Sequence, residues 1–129
     1  MNTLDKESVI GISALLVHAA NIDENYSDHE KGLVKEFIKS YLREENADEI
    51  LRKAEEIEKN SNQLLNYTNI IKRNSLEIKK DIIEHLWKVL ISDNTVDQYE
   101  SNLMRRICGL IYFSDKQCAE IKLNLLNSK

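Results

Sequence analysis

Two stretches decide how this chain reads: Ala20-Asn21-Ile22-Asp23-Glu24-Asn25-Tyr26-Ser27-Asp28-His29-Glu30 and Leu90-Ile91-Ser92-Asp93-Asn94-Thr95-Val96-Asp97-Gln98-Tyr99-Glu100. They lie seventy residues apart, and the shift carries Leu16 onto Leu86, Asp23 onto Asp93, Glu30 onto Glu100 and Leu33 onto Leu103. Identity is thin, but the roles match. In each copy a helix ends and an aspartate opens a short loop. An apolar residue, Tyr26 or Val96, dips inward, and a capping residue with a glutamate three positions later starts the next helix. Two helix–acidic loop–helix hairpins, about 8–42 and 78–112, are therefore expected to form an internal two-fold repeat. Two copies are too few for a stacked solenoid, so the expectation is a compact bundle.

Apolar residues recur at helical spacing along most of the chain. Val9, Ile12, Leu16 and Ala19 mark a first helix that fades at Asn21, and Leu33, Val34, Phe37, Ile38 and Tyr41 mark a second. Ile50, Leu51, Ala54 and Ile57 mark a third, opened by Asn46 with Glu49 three residues on. Leu64, Tyr67, Thr68 and Ile71 mark a fourth after Ser61, and Ile78, Ile82, Leu86, Val89 and Leu90 a fifth after Ser75. Leu103, Ile107, Leu110 and Ile111 mark a sixth; Cys118, Ile121 and Leu125 mark a seventh. Ser27 with Glu30 and Ser114 with Gln117 fit the capping box, and Asp97 with Glu100 is its acidic analogue. The fold predicted is all-α: a single domain over 1–129 of about seven helices, with bridging helices at about 46–74 and a closing helix at about 114–127.

Composition agrees. The 129 residues include no proline and three glycines, with 42% hydrophobic and 31% charged residues. A β-rich fold leans on Gly and Pro for its turns, so long helices with Asn, Asp and Ser punctuation are favoured. The net charge of −4 repels phosphate, which argues against nucleic acid as a partner. No run of 18 apolar residues offers a membrane span. Asp5, Lys6 and Glu7 interrupt any leader-like apolar segment near the start. A cytoplasmic location is the expectation. Cys108 and Cys118 sit in apolar patterns and read as reduced core residues.

At the two quoted stretches the chain resembles the TerB family, whose hairpins carry an Ala-x-x-Asp-Gly-x-apolar-x-x-x-Glu signature. The resemblance runs through Leu86-Trp87 before the second loop, and through Leu103 to Ile107 and Ser114-Asp115 after it; it covers roughly residues 8–125. The family glycine after each aspartate is replaced by Glu24 and Asn94. Asn tolerates a left-handed backbone and Glu does so poorly, so the first loop is expected to be reshaped. The resemblance implies an all-helical fold, a link to tellurite and stress-response systems, and a metal-binding role for the loop acids. It implies no established enzymatic activity.

The candidate metal ligands are Asp23 and Glu30 in the first loop, and Asp93, Asp97 and Glu100 in the second. Alternating oxygen ligands are how hard cations are held, so calcium or magnesium is the expected ion. The calcium-loop pattern itself is not met: its sixth position is Asp28 or Gln98 and its twelfth Val34 or Met104. The same acids also read as helix caps and turn ties. His18, His29 and His85 are scattered, with no His-x-x-x-His pair for zinc. Glu84 beside His85 is a weak acid–base pair, because adjacent helix residues point apart. Trp87 reads as a core or groove anchor, and Tyr41, Tyr67, Tyr99 and Tyr112 as half-buried packing residues. Arg105 and Arg106, with Lys35 and Lys39, sketch a modest basic face. No nucleophile–base constellation or phosphate loop is present. The function expected is a non-enzymatic module in a stress or tellurite/metal-oxyanion response, binding a divalent cation at its acidic loops. The alternatives are a metal-dependent enzyme using the same carboxylates, or a co-chaperone-like adaptor. A protein partner is expected, with any membrane surface reached through that partner.

Overall fold

A computed structural model describes residues 4–21, 27–43, 45–60, 64–91 and 98–127, with backbone alone at 64–66 and 98–100. Seven α-helices run through them: α1 Lys6–Asn21, α2 Asp28–Tyr41, α3 Ala47–Asn60, α4 Leu64–Lys72, α5 Leu76–Ile91, α6 Gln98–Leu110 and α7 Asp115–Asn127. No strand occurs among the described residues. The all-α bundle expected from the periodicity is the fold observed. The hairpin correspondence pairs α1 with α5 and α2 with α6; it remains a reading of the sequence.

Helix starts follow local chemistry. Asp5 Oδ1 accepts the Ser8 backbone N–H at 2.7 Å ahead of α1. Asn46 Oδ1 accepts from Asp48 and Glu49 at 3.0 and 3.3 Å ahead of α3. Ser75 Oγ accepts from Ile78 ahead of α5, and Ser114 Oγ from Gln117 ahead of α7, each at 3.3 Å. These bonds satisfy amide groups that the first turn of a helix leaves without partners. Helix α6 ends in a Schellman motif. The Phe113 N–H bonds to the Cys108 carbonyl at 2.8 Å, and the Tyr112 N–H to that of Gly109 at 3.4 Å. Tyr112 takes the left-handed position that glycine usually fills, with φ 58°.

Helix α1 is buried nearly all round, from Val9 to Ala20, so it forms the centre of the bundle. Helices α2, α3, α4 and α5 all pack on it. Gly11 permits the approach of α4: a Cβ there would stand 2.5 Å from Ile70 Cδ1. Helix α5 is the second core element, with nine buried residues from Ile78 to Ile91. Together with Phe37, Ile38, Ile50, Ile71, Met104 and Ile107 they build a core to which all seven helices contribute. Each fully buried large aliphatic contributes about 1.5–3 kcal/mol.

Helix α7 is held at the edge of this core by α5 and α6. Trp87 on α5 is its anchor. The indole Nε1 donates to the Cys118 carbonyl at 3.1 Å and to Cys118 Sγ at 3.3 Å. Cys108 and Cys118 are both buried, as their apolar setting suggested, and no disulfide joins them here.

Candidate functional site

Of the five candidate metal ligands, Asp23, Asp93 and Asp97 lie outside the described residues. Glu100 stands in the first turn of α6. Glu30 is the one whose side chain is placed, and it is 7% exposed at the third position of α2. Its carboxylate reaches back over the helix start. Oε2 accepts the Ser27 hydroxyl at 2.7 Å, and Oε1 accepts the Ser27 backbone N–H at 3.4 Å. Glu30 therefore has the capping role that its spacing from Ser27 predicted. Among the described residues, no three His, Cys, Asp or Glu side chains converge as a metal site.

The histidines separate into three environments. His29 is exposed in the first turn of α2. His18 is half-buried near the end of α1, where its Nδ1 lies 3.3 Å from Glu58 Oε1 on α3. Asn21 Nδ2 donates to the other Glu58 oxygen at 3.3 Å, so Glu58 ties the end of α1 to α3. His85 is buried at 7% exposure. Its partner is Asp81, one turn back, and not the adjacent Glu84. His85 Nδ1 lies 2.9 Å from the Asp81 carbonyl and 3.5 Å from Asp81 Oδ1.

Asp81 is the hub of a cluster that the sequence reading missed. Tyr41 on α2 donates its hydroxyl to Asp81 Oδ2 at 2.6 Å. Phe37, one turn before Tyr41, meets the His85 ring edge-on, with centroids 5.2 Å apart. Burial, and then the Asp81 carboxylate, push the Tyr41 phenol well above its ordinary value, so it stays protonated and acts as donor. The Asp81–His85 spacing of four was a local signal. Tyr41, forty residues away, was not legible until α2 and α5 packed together.

Asp81 also lines a groove of about 610 Å³ between α5 and α7. Glu77, Lys80 and Glu84 join it on the α5 side, with Ile121 and Leu125 on the α7 side. The groove combines three carboxylates and one ammonium with an apolar wall. The basic face sketched from the sequence is less clear. Arg105 and Arg106 are exposed, but the Lys35 ammonium is committed to Asp48 Oδ1 at 2.6 Å. Among the tyrosines, Tyr67 is buried and donates to the Ile57 carbonyl at 3.4 Å, whereas Tyr112 is 73% exposed under the Lys72 ammonium. The half-buried setting expected of both is thus not found: Tyr67 packs into the core, and Tyr112 stands at the surface in the left-handed turn that ends α6.

The family model for Tellurite resistance protein TerB matches residues 10–123. The chain belongs to the TerB family. The TerB match runs from α1 into α7 and includes both acidic interhelical segments. Comparison with curated proteins and with solved structures found no match. No helix among the described residues is long and apolar enough to cross a membrane.

Proposed function

We propose that this chain is a non-enzymatic TerB module of a cytoplasmic stress or tellurite/metal-oxyanion response. In this reading it binds a divalent cation, calcium or magnesium, at its acidic interhelical loops and passes that state to a protein partner. The observation that carries the reading is the family match over 10–123, which includes both loops. The second loop is the better cation site. It offers Asp93, Asp97 and Glu100, whereas in the first loop Glu30 already spends both carboxylate oxygens on Ser27. Hard cations favour such carboxylate sets. The groove between α5 and α7, acidic along α5 and apolar along α7, suits a partner segment carrying basic and apolar residues.

Titration calorimetry with calcium, magnesium, manganese and zinc tests the reading on the native chain and on the Asp93→Ala, Glu100→Ala double variant. Saturable binding of calcium or magnesium, lost in the double variant while its circular dichroism is unchanged, is the expected outcome. Absence of binding by the native chain removes the cation from the proposal and leaves these acids as caps and turn ties. Turnover of a substrate that depends on the bound ion would favour the enzyme alternative.

A further inference from the structure

The two cysteines meet at the corner between α6 and α7. The Schellman motif places Cys108 in the last turn of α6, and the Ser114 cap places Cys118 in the first turns of α7. Each thiol is the largest electrostatic influence on the other, and Cys118 Sγ accepts the Trp87 Nε1–H at 3.3 Å. Cys108 is fully buried, while Cys118 keeps 5% of its surface open. Lys122, one turn along α7, places its ammonium 5.2 Å from the Trp87 ring centre. Nothing in the proposed cation site uses these groups.

We propose that Cys118 and Cys108 form an oxidisable dithiol that hydrogen peroxide converts to an intramolecular disulfide, fastening α7 to α6. Cys118 is the attacking sulfur, because it is the one with open surface and the one whose Sγ is met by the Trp87 N–H. The Cys108 thiol first, and then the Trp87 bond and the Lys122 charge, favour its thiolate; burial and Asp115 oppose them, and the balance lies below the ordinary thiol value. Cys108 is pushed the other way by Cys118 and by burial, which keeps it a thiol.

In the first step the Cys118 thiolate attacks one peroxide oxygen. The S–O bond forms, the O–O bond breaks, and the leaving hydroxide takes the released proton to become water. In the second step Cys108 sulfur attacks the sulfenic sulfur. The S–S bond forms, the S–O bond breaks, and a second water leaves with the Cys108 proton. Two sulfurs give up two electrons, and one peroxide is reduced to two waters.

The test uses the full native chain, which has only these two cysteines. The chain is treated with hydrogen peroxide, quenched with catalase, denatured with an alkylating agent and weighed intact. The expected product is a monomer that has lost two hydrogens, has no alkylatable thiol and regains both with dithiothreitol. Under dimedone, Cys108→Ser is expected to carry the adduct on Cys118, and Cys118→Ser to leave Cys108 unmodified at the same dose. Two alkylatable thiols after peroxide, oxygen gained on methionine alone, or a disulfide-linked dimer would each overturn the proposal. So would a dimedone adduct formed on Cys108. The native-chain measurement stands even if either variant folds poorly.

Discussion

Ser13 lies in the middle of α1 with no exposed surface, and its hydroxyl has no hydrogen-bond partner. A buried polar group without a partner costs stability, so Ser13→Ala is expected to stabilise the chain by about 1 kcal/mol. A chemical denaturation series reads this directly, and an unchanged or lower midpoint would mean that the hydroxyl has a partner after all. Asp5 makes a different prediction. Its hydrogen bonds from Ser8 hold the carboxyl below the ordinary value of 3.8. Because the folded value is depressed, the stability Asp5 lends is present above the unfolded value and is lost as pH falls through the folded one. Asn caps a helix about as well as Asp but does not titrate. The melting temperatures of Asp5→Asn and the native chain should therefore converge as pH drops from neutral towards about 2. Parallel curves over that range would show that Asp5 contributes no acid-side dependence. Residues of this kind differ in how visible they were in the sequence. Ser27 with Glu30 was legible because a cap is written within four residues. Ser13 was not, because its position in the core is set by four other helices.

Helix boundaries were the most legible level. Asn46, Ser75 and Ser114 each start the helix that the apolar period announced, and α1 ends at Asn21, where the period fades. The tertiary pairings were not written locally. Tyr41 with Asp81 spans forty residues, and His18 with Glu58 spans another forty. Each required two helices to be docked before the partners could be named. The two glycines of α1 and α2 show what docking adds. Gly32 has nothing within 4 Å of where a Cβ would stand, so Gly32→Ala gains only helix propensity. It is expected to raise stability by about 0.5–1 kcal/mol. Gly11→Ala carries the same propensity gain, but Ile70 must move aside, so its gain should be smaller. Paired thermal melts compare the two, and a larger gain at Gly11 would contradict the packing described for α4.

At the scale of the molecule, the buried residues run from Leu4 to Cys118 in one cluster. Helix α1 touches α2, α3, α4 and α5, and α5 touches α7, so loosening one helix exposes faces of several others. The chain is accordingly expected to unfold as one unit. Scanning calorimetry should give a van't Hoff enthalpy equal to the calorimetric one. Two resolved transitions would mean that α6 and α7 separate from the central helices first. The sequence announced the bundle because period, caps and composition all favoured helices. It was less informative about the candidate site, because the loop acids carry both a capping and a ligand reading on the same residues. The Asp81 cluster and the α5–α7 groove exist only after assembly.

The Trp87 anchor has an optical consequence. It is the chain's single tryptophan, 3% exposed, with its indole N–H held by a carbonyl and a sulfur. Excited indole in such a dry setting emits towards the blue, and a neighbouring thiol drains its fluorescence. Lifting α7 would admit water and remove the sulfur together, so emission would shift red and its quenching by Cys118 would cease. The protein thus carries a built-in lamp for the docking of its last helix, readable in solution without a label.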